Sequence, residues 1–361
     1  MPRAVRLLSV PLVLTLAACS AGGGEPTAPA KSSTTVTTTT APAGPGLTVS
    51  QAAAMMRDYD ARNNPAIAAA GAPRFDERPW ARADMGPVLE QDVFITRVRR
   101  ADPPESAEDD RAFTSRATAV VGAARHRSGA VAVVDSPVQQ QAGTSSAAGR
   151  STTSPSTTSP STTSPSSDQP PRTVLRVMRR EGTGPWKQWG TVDAPRGALP
   201  APLPATTDPT PTPAQVRASQ TLVPQVVGSL REENGAPFAQ ARPTRDFLEG
   251  LWPGKPNPSI KRTLQCEPYA TRGSSDVADA LLVLRAQRAT LNVVTLRCRV
   301  DWLAGEGRAI FFSKGFAQVN RVSTEGSQQA TLSLVVTAVV QQPDGGRPQL
   351  LGLGGGYVVP D

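Results

Sequence analysis

The sequence predicts an α+β protein in which helices come first and a curved antiparallel sheet comes second, an order that occurs twice along the chain. Three observations carry this expectation. Thr48-Val49-Ser50-Gln51 and Thr212-Pro213-Ala214-Gln215 each have the form of a capping box opening a helix. Behind each box, apolar residues recur at helical spacing and then switch to alternation at every second position. Between the two sets lies a proline-dense stretch, 195–213, which separates an N-terminal lobe, 47–194, from a C-terminal lobe, 214–361.

In the first lobe Ala52, Met55, Met56 and Tyr59 follow the box at i, i+3, i+4 and i+7, one face of an amphipathic helix. A second short helical piece is expected from Pro65 to Ala70. The pattern then reads as extended over Val93–Arg99, Thr118–Ala124, Ala130–Asp135, Val174–Arg180 and Trp186–Val192. The last two runs are joined by Glu181-Gly182-Thr183-Gly184-Pro185, a hairpin signal. In the second lobe Val216, Val223, Val226, Val227 and Leu230 form a helical face with a break expected at Pro224, and a shorter helix follows from Thr244 to Leu251. Strands are expected over Ile260–Tyr269, Leu281–Ala286, Leu291–Trp302, Ala309–Val319, Ala330–Val340 and Leu350–Val359. The order in both lobes looks like the cystatin or NTF2-like α+β cone, in which helices cover one face of a bent sheet.

Composition bounds the rest. The chain has 361 residues, room for two domains, but 36 Pro and 30 Gly exclude a single core over its full length. With 38% apolar and 19% charged residues it is too polar for a multi-span membrane protein and too apolar for a wholly disordered one. Residues 20–46 lack apolar periodicity and read as a flexible tether, reaching roughly 30 Å on average and about 90 Å at full extension. An insert at 139–171 repeats Ser-Thr-Thr-Ser-Pro three times in tandem and is expected to be disordered, either an O-glycosylated spikelet or a tolerated loop expansion. The connector 195–213 carries seven prolines and reads as semi-rigid polyproline II.

The N-terminus indicates where the protein works. Arg3 and Arg6 precede an apolar run from Leu7 to Ala18, too short to span a bilayer, so 1–18 reads as a signal peptide. Its end, Leu16-Ala17-Ala18-Cys19, resembles the lipobox of bacterial lipoproteins. That resemblance implies cleavage before Cys19, acylation of its thiol, and retention on the extracytoplasmic face of the cell membrane. With Cys19 taken by lipid, Cys266 and Cys298 form an even pair in an oxidising compartment. Cys298 shares a strand face with Val294, Leu296, Val300 and Trp302, and a Cys266–Cys298 disulfide is expected, contributing roughly 3–4 kcal/mol by loop entropy. The alternative is two separate buried thiols. Two Cys and one His cannot fill a structural zinc shell.

Longer resemblance runs through Met56-Arg57-Asp58-Tyr59-Asp60-Ala61-Arg62-Asn63-Asn64, Gly184-Pro185-Trp186-Lys187, Ile310-Phe311-Phe312-Ser313-Lys314, and Pro348-Gln349-Leu350-Leu351-Gly352 with Gly354-Gly355-Gly356. These stretches look like uncharacterised actinobacterial surface lipoproteins built of two such lobes. The likeness brings no activity, cofactor or site residue with it.

The search for chemistry is mostly negative. There is no nucleophile elbow, no zinc-protease helix and no phosphate-binding loop; Gly254-Lys255 lacks the upstream glycine frame. His126, the sole histidine, sits between Arg125 and Arg127 at an expected hairpin tip, a poor setting for a base. Asp58 and Asp60 point to different helix faces; Asp58 either salt-bridges the helix surface or, as in some NTF2-like enzymes, faces a cone pocket. Gly354–Gly356 reads as a bulge or tight bend. Trp186 and Trp189 straddle a sheet, one in the core and one available to line a pocket.

The formal charge of +8, with 33 arginines among the 38 basic residues, favours anionic partners. The arginines are scattered, and no basic stripe with interleaved aromatics marks a nucleic-acid face. The expectation is therefore a lipid-anchored envelope protein, a non-catalytic binding or structural module with no cofactor. Its partners are membrane lipid through Cys19, and anionic wall polymer or another envelope protein. The alternative is an NTF2-like enzyme with a carboxylate in a cone pocket.

Overall fold

The computed structural model describes residues 46–104, 112–126, 129–140, 172–204, 207–251, 259–271 and 277–360. The expected signal peptide, Cys19, the tether as far as residue 45 and the insert from 141 to 171 lie outside the described residues.

Helix α1 (Val49–Ala70) starts as its sequence dictates: Gln51 N–H donates to Thr48 Oγ1 at 3.2 Å and Thr48 N–H donates to Gln51 Oε1 at 2.9 Å. It does not stop before Pro65. Ala66, Ala69 and Ala70 are buried beyond the proline, and that packing offsets the hydrogen bond the ring removes. After the single turn α2 (Trp80–Ala83) comes a correction: Val93–Arg99, read as extended, lies within helix α3 (Gly86–Ala101). Val93, Ile95 and Val98 resemble strand by propensity, but Pro87 pre-sets the first turn and Phe94 is locked into an aromatic cluster with Phe316 and Tyr357.

The strands of the N-terminal half are β1 (Phe113–Ser115), β2 (Ala119–His126), β3 (Gly129–Asp135), β4 (Val138–Gln140), β5 (Arg172–Glu181) and β6 (Lys187–Pro195). β4 pairs with β1, so Gln139 and Gln140, assigned to the insert from sequence, are strand. The connector packs Ala198 and Leu199 against the core and accepts a bond from Gln287 N–H at Ala201 O, 2.9 Å. Helix α4 (Pro213–Gln220) opens on its capping box at Thr212, and the break before α5 (Leu222–Leu230) falls at Thr221, just ahead of Pro224. Then come α6 (Arg242–Gly250), β7 (Ile260–Pro268), β8 (Leu281–Ala286), β9 (Ala289–Ala304), α7 (Lys314–Asn320), β10 (Gln329–Pro343) and β11 (Gln349–Val358). The strand expected over Ala309–Val319 is a second correction: Ile310 makes an isolated bridge to Ser327, and the rest turns into α7. There Phe312, just ahead of the helix, stacks on Phe316 in its first turn at 5.2 Å and fixes the entry of the chain.

Nine strands form one antiparallel sheet in the order β2-β3-β5-β6-β11-β10-β9-β7, with β8 also on β9. Helices cover one of its faces. α5, α6 and α7 lie over Val294, Leu296, Val300, Leu332 and Leu334, and α1 lies over Val120, Ala132, Val134 and Met178. The other face turns inward. Val121, Val133, Val177 and Val192 of the first half share one buried cluster with Leu282, Leu291, Val335 and Val339 of the second, and β2 comes close to β8. The strands of both halves thus enclose a common interior.

The seam between halves is β6 against β11, with Leu353 opposite Asp193. Glycine makes it possible. A Cβ on Gly354 would lie 1.8 Å from Thr191 O, and one on Gly352 would lie 2.4 Å from Asp193 O. Gly354 and Gly355 therefore mark close approaches of strands, to β6 and to Val335 O of β10; the bulge in this hairpin is at Val339/Val340 instead. Among the described residues no helix is long and apolar enough to cross a membrane.

Candidate functional site

Two places combine unusual chemistry with accessible space. The first is a carboxyl pair beneath the helices. α2 ends at Asp84, whose N–H donates to Trp80 O at 2.8 Å, and Met85 N–H donates to Gln188 O at 3.0 Å, tying this corner to β6. That anchoring drives the Asp84 side chain inward to 1% exposure, where Oδ1 accepts from the Tyr59 hydroxyl at 3.2 Å. Asp92, on α3, meets it carboxyl to carboxyl. Two buried carboxylates this close resist ionising together, which raises the proton affinity of both.

Burial pushes Asp84 up to about 7 against the lowering influence of its bonds to Tyr59 and Asp92 and the charges of Arg176 and Arg62. Burial and the Asp84 charge raise Asp92 well above the usual carboxylate range. The Tyr59 phenol is raised by its own burial and then by Asp84. Arg176 also bonds Gln188 and lies over the Tyr59 ring at 5.6 Å. On its other side Asp92 borders a pocket of about 170 Å³, walled by Ile67, Trp80, Ile95, Thr96 and Arg99. A bond from Trp80 Nε1 to Thr96 Oγ1, 2.9 Å, holds that wall.

The second place is a slot between α6 and β11 that runs along the seam. Two hollows of about 280 Å³ each share a waist at Arg172, Asp193 and Pro243. Pro195, Leu350 and Leu351 wall the first; Phe247, Gly250, Tyr357 and the backbone of Gly354–Gly356 border the second. Residues 243, 246, 247 and 250 are one face of α6. The slot exists because both walls run out of side chain, at Gly250 on the helix and at Gly354–Gly356 on the strand. The charges nearly balance. Arg172 and Arg242 converge on one carboxylate, Asp246, at 3.1 and 3.4 Å, while the exposed Asp193 carboxylate has no partner among the described residues.

The sequence-marked residues fall elsewhere. Cys266 and Cys298 are bonded, directly opposite each other on β7 and β9 with 4.1 Å between Cα atoms. Cys19 lies outside the described residues, as does Gly254-Lys255. Asp58 is exposed and pairs with Arg62 at 2.7 Å, the helix-surface reading. Asp60 is buried and accepts from Ser115 N–H and Oγ at 2.7 and 2.8 Å. His126 is the last residue of β2. Trp189 is core, donating to Thr295 Oγ1 at 3.1 Å, and Trp186 lies under Arg180. Among the described residues no three His, Cys, Asp or Glu side chains converge as a metal shell.

Sequence reasoning missed both places. Asp92 was hidden because the stretch that follows it, Val93–Arg99, reads as extended; Pro87, followed by fifteen residues free of Gly and Pro, is the signal that marks α3. The slot joins residues far apart in the chain, and no local pattern announces it. No protein-family model matches the chain, and no curated protein matches its sequence.

Proposed function

We propose that this chain is a lipid-anchored protein of the extracytoplasmic face of a bacterial membrane, and that it binds a partner in the α6–β11 slot without catalysis. The observation that carries the binding half is the slot itself: two contiguous hollows with an open carboxylate, Asp193, at their waist. The anchor half rests on the lipobox-like Leu16-Ala17-Ala18-Cys19. The Cys266–Cys298 bond agrees with an oxidising compartment. Each half opens with helices and continues into strands, with α7 interrupting the second set, and we read the halves as two cystatin/NTF2-like lobes fused along β6 and β11. Membrane lipid is then held through acylated Cys19, while the slot, lacking a surplus of positive charge, suits an envelope protein better than anionic wall polymer.

Detergent phase partition of the full chain expressed in a bacterium tests the anchor. The wild type is expected in the detergent phase and Cys19→Ala in the aqueous phase. A Cys19→Ala protein that still enters detergent overturns the anchor.

A second reading, acid–base catalysis, draws on one observation, the proton-sharing Asp84–Asp92 pair beside its pocket. A screen of ester, amide and glycoside substrates tests it, since turnover must vanish in Asp92→Asn. Activity that survives this substitution removes the pair from the chemistry.

A further inference from the structure

The slot between α6 and β11 also limits what can fill it. Arg172 faces Pro195 and Val174 faces Asp193 across the β5–β6 ladder, so Arg172 and Asp193 are diagonal neighbours on one sheet face, roughly 7–8 Å apart at Cα. They stand where the two hollows meet. An acyl chain threaded through both hollows would strip water from a guanidinium and a carboxylate and return no hydrogen bond, which is costly. A polyanion finds two arginines already turned on Asp246 and an open carboxylate beside them. The occupant must carry apolar groups at both ends and a donor with an acceptor in between.

We propose that the slot takes an extended polypeptide segment of a partner protein, with apolar side chains on one face of the segment entering the two hollows. Side chains at i and i+2 of an extended chain lie on one face roughly 7 Å apart. The peptide groups between them supply a C=O to accept from Arg172 and an N–H to donate to the Asp193 carboxylate. Recognition would then combine main-chain hydrogen bonds with side-chain pockets. The first hollow, walled by Pro195, Leu350 and Leu351, suits a branched aliphatic side chain, and the glycine backbone of the second suits a flat or small one. The proposal rests on the slot being a binding site, and the experiment separates the two ideas.

The probe is a degenerate library of N-acetylated, C-amidated hexapeptides, panned against the immobilised full chain. Chitotriose and myristate are titrated in parallel as saccharide and acyl probes. Gly250→Phe is the blocking variant, because a Cβ there meets nothing within 4 Å and the ring would enter the slot without displacing backbone. Asp193→Ala removes the waist acceptor on an exposed strand position and guards against a folding defect in the first variant.

The wild type is expected to enrich peptides with apolar residues at alternate positions, those of one face of an extended chain. Both variants are expected to weaken the selected peptides about tenfold or more, the loss of one good hydrogen bond or one filled pocket. Binding of chitotriose or myristate that Gly250→Phe abolishes, with no peptide enriched, overturns the peptide assignment and keeps the slot. If Gly250→Phe changes the binding of no probe, the slot itself is overturned.

Discussion

Burial of Asp84 against the carboxyl of Asp92 makes the native chain hold a proton that the unfolded chain releases. The consequence for stability has a definite sign. A carboxyl raised from the ordinary range to about 7 contributes fully below pH ~4, and that contribution is lost as pH rises through 7. The slope is at most about 1.4 kcal/mol per pH unit for each proton. Urea unfolding at pH 5 and pH 7.5 is therefore expected to give a higher midpoint at pH 5, and Asp84→Asn should flatten the difference. A wild-type midpoint that does not fall across this window refutes the shared proton. The carboxylates held low, Asp76 and Glu77 by bonds from Arg78 and Arg97, are already ionised there and leave the slope alone.

Among the elements, β11 depends most on the absence of side chains. Its Gly354 lies against the β6 backbone so closely that a methyl group would reach Thr191 O at 1.8 Å, backbone that cannot swing aside. Gly354→Ala should cost about 1–3 kcal/mol or more, read as a lowered urea midpoint, because overpacking here forces two strands apart. Gly250→Ala meets open space and should be neutral or slightly stabilising, giving the control within the same fold. Equal effects of the two substitutions would show that the seam tolerates a wider spacing. The slot and the seam share this cause: the glycines that let β11 approach β6 also leave a bare floor opposite α6.

For the whole molecule, what matters is that the two halves are interlocked. Their valines and leucines share one interior, and Glu90 on α3 accepts from Tyr269 at 2.8 Å and pairs with Arg297 at 2.8 Å across the divide. Arg179 and Asp279 make a second cross-link at 2.6 Å. α3 rests on α7 where Gly315 leaves room, a Cβ there falling 2.3 Å from Val98 O. Residues 46–195 or 207–360 expressed alone would expose that interior and an unpaired strand at the seam. Each fragment is expected to aggregate or to lack the sharp unfolding transition of the full chain, whereas co-expression should recover a soluble complex. A fragment that is monomeric and unfolds cooperatively by itself would show that the shared core is dispensable.

The sequence alone determined the helix starts at Thr48 and Thr212, the alternating strands and the facing of Cys298, because capping, pleat and parity are written in neighbouring residues. It misread Val93–Arg99 and Ala309–Val319, where aromatic packing from distant elements outweighed β-branched propensity. Only the tertiary structure decided that the halves share a sheet, that Asp84 meets Asp92, and that Arg172 pairs with Asp246. Such encounters join positions on different elements, and their energies arise from burial and charge that exist only once the chain has closed on itself.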